Sequence, residues 1–199
     1  MWQLEWASIV AERTGVAVML AEYRGYMSLG GKPSYLTAKL DALAAYEYAR
    51  ARLGIPDDRL AFFGHSLGSA IAAELAEMHP PGALLLQSPF TSAFDMAKRI
   101  LTTPLASLWN VVSRVHFDTA RIVRGLDVPI AVAHGKRDRI VPLWMGIEVY
   151  NIARNKGPLL IVAGAGHNDV PTIAGERYWS WVREGLDAGF LQPRTKRKA

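Results

Sequence analysis

The sequence predicts an α/β protein: a mostly parallel sheet with helices on both faces. Short, continuously apolar runs rich in β-formers recur along the chain, and between them lie longer segments whose apolar residues repeat at helical spacing. Strands that are apolar on both faces and separated by helices belong to a parallel sheet covered on either side. A third observation sharpens this. In Gly64-His65-Ser66-Leu67-Gly68 a buried strand turns at once into an Ala-rich helix, with a serine at the junction.

Taken in order, Gln3 to Arg13 reads as a helix and Val16 to Tyr23 as a first strand. Tyr35 to Leu53 is helical, Leu60 to Gly64 a strand, and Ser66 to Met78 a helix stopped by Pro80-Pro81. Ala83 to Gln87 and Ile130 to Ala133 are strands. Pro142 starts a helix over Leu143 to Asn155, and Gly157-Pro158 separates it from a strand over Leu159 to Ala163. Pro171 to Leu186 is the last helix. Between Ser88 and Asp127 lies an insert of helical spacing without a strand, read as a small cap over about residues 89–127. An insert at the carboxyl end of a strand lies where open α/β sheets bind ligands, so Phe90, Phe94 and Trp109 are candidates to line a pocket mouth. The competing reading is that they pack the cap onto the body.

The 199 residues, half of them apolar, fit a single domain over 1–193 followed by a basic, disordered tail at 194–199. Apolar runs such as Leu159 to Ala163 fall far short of the roughly 18 residues a membrane span needs. The first residues, Met1-Trp2-Gln3-Leu4-Glu5-Trp6, lack the basic and apolar regions of a secretory signal, so a cytoplasmic address is expected. With no cysteine, thiolate metal sites and thiol nucleophiles are excluded. The net charge of +5 owes four charges to Arg194, Lys196, Arg197 and Lys198; without them 19 basic residues face 18 acidic ones. No basic stripe interleaved with aromatics remains, and nucleic acid is not an expected partner.

A serine on a sharp strand-to-helix turn holds a strained backbone, and flanking glycines keep neighbouring chains from colliding. The helix after Ser66 aims free N–H groups at the same spot, and the Leu67 N–H can hold an oxyanion. A serine alcohol needs a base, and the base a carboxylate. The strand Ile130 to Ala133 runs into His134-Gly135-Lys136-Arg137-Asp138, and the strand Leu159 to Ala163 into Gly164-Ala165-Gly166-His167. Asp138 and His167 therefore share the rim of Ser66, in the chain order Ser, Asp, His. Asp127 precedes its strand and belongs to the opposite rim; Asp169 is too close to His167 in sequence to approach its ring from behind. Asp95 and Asp118 fall in the cap. His65 and His134 read as satisfied structural histidines, and Lys136, Arg137 and Arg139 as a solvated loop rather than an anion site.

The segments "AEYRGYMSLGGKPS", "GHSLG", "LQSPF", "HGKRDRIVP" and "GAGHND" give the chain, over nearly its whole length, a resemblance to the α/β-hydrolase superfamily. Within it the resemblance is to the Bem46-like serine hydrolases that include the ABHD13 and ABHD17 proteins. It implies the α/β-hydrolase fold, Ser66 as nucleophile, Asp138 as acid, His167 as base, Leu67 as one oxyanion donor, and no cofactor or metal. It implies a small acyl ester or thioester as substrate, in esterase, thioesterase or lipase-like chemistry, and the apolar cap points to a medium acyl chain. Relatives usually carry Gly-Tyr-Gly where this chain has Gly25-Tyr26-Met27. The family also has strands before its first helix, one of which supplies a second oxyanion N–H. The resemblance implies that this chain begins inside that helix, as an N-terminally truncated member; Val16 to Tyr23 then either pairs directly with Leu60 to Gly64 or leaves a gap in the sheet.

Overall fold

A computed structural model describes residues 2–26, 30–101, 105 and 116–191. Trp109 and the tail at 194–199 lie outside the described residues. The chain runs α1 (Trp2–Thr14), α2 (Tyr35–Glu47), a π turn (Tyr48–Arg52), a 3-10 turn (Asp57–Arg59), β1 (Ala61–His65), α3 (Leu67–Met78), β2 (Ala83–Gln87) and α4 (Ala93–Ile100). It continues through α5 (Thr119–Gly125), β3 (Ile130–Gly135), α6 (Leu143–Ile152), β4 (Lys156–Val162), α7 (Val170–Ala174) and α8 (Glu176–Phe190).

Among the described residues four strands form one parallel sheet in the order β1-β2-β3-β4. Side chains alternate across it, as the pleat requires. Leu84, Leu86, Ile130 and Val132 pack against Ala73 and Ala76 of α3, Ile122 and Val123 of α5, and Val149 of α6. Ala83, Leu85, Ala131, Leu160 and Val162 pack on the other face against Val10 of α1 and Tyr178, Trp181 and Val182 of α8. β2 and β3 are buried along their whole length, which is why their sequences are apolar without interruption. Each fully buried leucine contributes on the order of 2 kcal/mol. A third cluster, with Ile71, Leu75, Phe90, Phe117, Val141 and Met145, joins α3 to the start of the insert and to the chain after β3. Among the described residues, no helix is long and apolar enough to cross a membrane.

Three expectations are corrected. Val16 to Tyr23 is not a strand: it neither pairs with β1 nor forms a ladder elsewhere. Val16 and Val18 pack against the core while Met19 and Leu20 are exposed, so the segment keeps the apolar alternation of a strand without a strand beside it to complete its hydrogen bonds. Gly157-Pro158 lies inside β4 rather than before it. Ile130 pairs with Lys156 and Val132 with Leu159, two residues against three, and this bulge on an edge strand accommodates a proline that has no N–H to donate. The last helix is two helices, parted at Gly175, whose φ of 55° only glycine adopts readily.

Candidate active site

β1 ends at His65, and the next residue, Ser66, has φ 54° and ψ −119°. This conformation costs a non-glycine residue about 1–3 kcal/mol and persists only where its surroundings over-determine it. They do so here. The Ser66 N–H donates to the Gln87 carbonyl of β2 at 3.0 Å, and the Ser66 carbonyl accepts from the Ser69 N–H at 2.9 Å. The Ser69 hydroxyl donates to the same carbonyl at 2.5 Å. Gly64 lets α3 approach the strand: a Cβ there would overlap the Gly68 carbonyl and the Ser69 Cα. A Cβ on Gly68 would meet only open space, so of the two flanking glycines Gly64 alone relieves crowding. Leu67 opens α3, and its N–H belongs to the first turn, whose donors have no partner within the helix.

β3 delivers the carboxylate. After Gly135 the chain turns, with the Asp138 N–H donating to the Gly135 carbonyl at 3.1 Å. Asp138 Oδ1 accepts from the N–H groups of Ile140 at 2.9 Å and Val141 at 2.8 Å. Oδ2 accepts from His167 Nδ1 at 2.7 Å and lies 3.4 Å from His134 Nε2. His134 Nε2 also reaches the Val141 carbonyl at 3.0 Å. Burial of the Asp138 side chain opposes its ionisation, but the hydrogen bonds from His134, His167 and the Val141 N–H outweigh it. They hold the carboxyl well below the usual range, as a carboxylate.

The loop after β4 delivers the imidazole. It is tied to the loop after β3 by the Lys136 N–H to the Val162 carbonyl and the Arg137 N–H to the Ala165 carbonyl, both at 2.8 Å. His167 Nε2 lies 2.8 Å from Ser66 Oγ. With its proton on Nδ1, directed to Asp138, the neutral ring presents a lone pair at Nε2 to the serine hydroxyl. The arrangement can take a proton from an alcohol and stabilise the cation that results.

The structure thus brings Ser66, Asp138 and His167 together from three strand ends. The rival carboxylates are elsewhere: Asp127 lies 3.5 Å from Arg154, and Asp169 accepts from the Gly166 N–H at 2.6 Å. Asp118 caps α5, and Asp95 stands in the first turn of α4, where its N–H donates to the capping Ser92 hydroxyl and its carboxylate accepts from the Thr91 hydroxyl. Phe90, a candidate for a pocket mouth, packs in the core. It is 6% exposed in the third core cluster, with Phe117 6.3 Å away, because the chain after β2 turns inward over α3. Phe94 is half-buried on α4, with Lys98 Nζ 4.7 Å from its ring. A cavity of about 320 Å³ lies at the edge of β4, lined by Leu159, Trp181, Glu176 and Arg177 among others, and includes no residue of the site. Two histidines read as merely structural are in contact with the Ser66–His167–Asp138 site: His134 beside Asp138, and His65, whose Nε2 lies 3.0 Å from the His167 carbonyl. The four-residue step from His134 across a glycine turn to Asp138 was the available signal for the first. Among the described residues no group of three or more histidine, aspartate or glutamate side chains is arranged to hold a metal ion.

No family model matches the chain. It is similar to an uncharacterized protein of Mycobacterium tuberculosis, 33% identical over 175 residues that make up 86% of this chain and 60% of that protein. The α/β hydrolase domain-containing protein WAV2 of Arabidopsis thaliana is 31% identical over 192 residues, 89% and 62% of the two chains. The lysophosphatidylserine lipase ABHD12 of the rat is 29% identical over 162 residues, 72% and 39%. The chain therefore spans about 60% of the first two relatives' length. Among solved structures, a Pyrococcus furiosus esterase superposes with a TM-score of 0.71 at 20% identity, covering 91% of this chain and 73% of that one. The esterase domain of a Rhodothermus marinus protein does so with 0.63 at 20% identity, covering 92% and 81%.

Proposed function

Since the chain belongs to the α/β-hydrolase superfamily, we propose that it is a serine hydrolase cleaving carboxylic esters or thioesters through an acyl-enzyme. The observation that carries this reading is the unbroken path from Ser66 Oγ to His167 Nε2 at 2.8 Å and from His167 Nδ1 to Asp138 Oδ2 at 2.7 Å, at a strained strand-to-helix elbow.

In this mechanism His167 takes the Ser66 proton as Oγ bonds to the acyl carbon, and the carbonyl π electrons move onto oxygen. The Leu67 N–H and the N-terminus of α3 hold that oxyanion; a single such donor is worth on the order of 10² to 10³ in rate. As the tetrahedral intermediate collapses, the bond to the leaving oxygen or sulfur breaks and His167 gives its proton to the departing alcohol or thiol. Water then repeats the sequence on the acyl-enzyme, with His167 taking its proton, and the carboxylic acid leaves as Ser66 is restored. Asp138, ionised and buried, fixes the ring's tautomer and stabilises its transient charge. The rat relative, a lysophosphatidylserine lipase, supports an acyl ester as the substrate class. The apolar insert over about residues 89–127 extends this to a medium acyl chain.

A fluorophosphonate probe tests the reading. The wild-type chain labels and Ser66→Ala does not, with circular dichroism verifying that both are folded. A folded wild-type chain that takes no Ser66-dependent label overturns the proposal in favour of a binding protein on the hydrolase fold.

A further inference from the structure

We infer that His65 is a positioning residue, whose Nε2–H holds the backbone of His167 and thereby sets where the base stands relative to the serine next to His65 in the chain. The inference rests on the hydrolase reading above and deepens it.

The contact is 3.0 Å from His65 Nε2 to the His167 carbonyl oxygen, across 102 residues of sequence. A carbonyl only accepts, so Nε2 carries the hydrogen, and burial pushes the His65 imidazole toward its neutral form. The two rings lie 5.0 Å apart at 39°, so they pack as well as bond. Ser66 and His167 are consequently tied twice: once through their side chains at 2.8 Å, and once through the preceding residue and the base's own carbonyl. Only the second tie survives proton transfer unchanged, because the first changes partners each time Ser66 or a leaving group exchanges its proton with Nε2 of His167. The other backbone restraints on the loop, Arg137 N–H to the Ala165 carbonyl and Gly166 N–H to Asp169 Oδ1, bind its neighbours, and Asp138 holds the His167 ring but not its backbone. His65 is the group that fixes residue 167 to the elbow strand.

Three chains decide this: wild type, His65→Leu, which keeps bulk and removes the donor, and His65→Gln, whose amide nitrogen reaches about as far as Nε2. Two quantities are read on each. One is fluorophosphonate labelling resolved into its maximal rate and its half-saturating concentration; the other is amide hydrogen exchange across residues 164–169. In His65→Leu the maximal labelling rate falls about 10- to 100-fold, the half-saturating concentration stays put, and exchange in the loop accelerates. His65→Gln recovers most of both. Unaltered rate and exchange in His65→Leu overturn the inference, and so does a His65→Gln chain as impaired as His65→Leu, which would make the role one of packing. Should His65→Leu not fold, His65→Asn, whose amide is too short to reach His167, replaces it. If the wild type itself takes no Ser66 label, the hydrolase reading alone fails, and the exchange comparison still decides what His65 does.

Discussion

The Tyr178 hydroxyl donates to Gln87 Oε1 at 2.7 Å inside the core, and the hydroxyl oxygen of Tyr178 in turn accepts from Trp6 Nε1 at 2.9 Å. The carbonyl of Gln87 receives the Ser66 N–H, so a single polar chain links α1 and α8 to the strained elbow. Tyr178→Phe keeps the ring and leaves a buried amide oxygen and an indole N–H without their partner, at a cost of about 1–3 kcal/mol. The urea midpoint falls accordingly. Trp6→Phe, which leaves the Tyr178–Gln87 bond intact, lowers it less.

Gly64→Ala tests how much of the elbow depends on close approach. The added methyl would run into backbone atoms of Gly68 and Ser69, which cannot rotate away as a side chain could. Overpacking of this kind costs about 1–3 kcal/mol or more, and relief requires α3 to move off β1 and take Leu67 with it. The expected outcome is a lower unfolding midpoint together with loss of fluorophosphonate labelling. Gly68→Ala, with open space at its Cβ, keeps the midpoint within about 1 kcal/mol of wild type, the helix propensity of alanine favouring it.

Asp138 sets a pH dependence whose sign follows from its hydrogen bonds. Its folded carboxyl titrates well below the roughly 3.9 of an unfolded aspartate. The stability it contributes is therefore fully present above the unfolded value and is lost as pH falls through the folded one. Asp138→Asn has no such dependence. The difference in urea midpoint between wild type and Asp138→Asn is largest at pH 6–7 and shrinks steadily below pH about 4. At neutral pH the same substitution lowers the labelling rate by on the order of 10⁴-fold, since an amide no longer enforces the Nδ1–H tautomer of His167.

What could be read from the sequence was what depends on burial and on position along a strand. Ala83 to Gln87 is a strand over the very residues expected, because a segment covered on both faces is apolar at every position. Ser66, Asp138 and His167 were legible as strand-end residues because parallel strands put all their carboxyl ends on one rim. What failed concerned partners. Val16 to Tyr23 has the pattern of a strand, but pattern reports which side chains are covered and not whether a neighbouring strand exists. The bulge at Gly157-Pro158 depends on β4 lying at an edge, which local sequence does not encode. His65 and His134 owe their contacts to loops about 100 and four residues away respectively, and a histidine's ring nitrogens leave no periodic trace.

Phe90 and Phe94 separate packing from substrate contact. Both were candidates to line a pocket, yet Phe90 is enclosed by the third core cluster while Phe94 stands half-buried on α4 beneath the Lys98 ammonium. Phe90→Ala opens a cavity beside Phe117 and costs about 3–5 kcal/mol, whereas Phe90→Leu, which keeps most of the volume, costs less than half of that. Phe94→Ala costs under about 1 kcal/mol, because less apolar area leaves the water on folding. Labelling with fluorophosphonates of increasing alkyl length discriminates further. Phe90→Leu retains the chain-length preference of the wild type, since its side chain is buried in the third core cluster. If Phe90→Leu shifted that preference while Phe94→Ala did not, the assignment of Phe90 to the core would have to be abandoned.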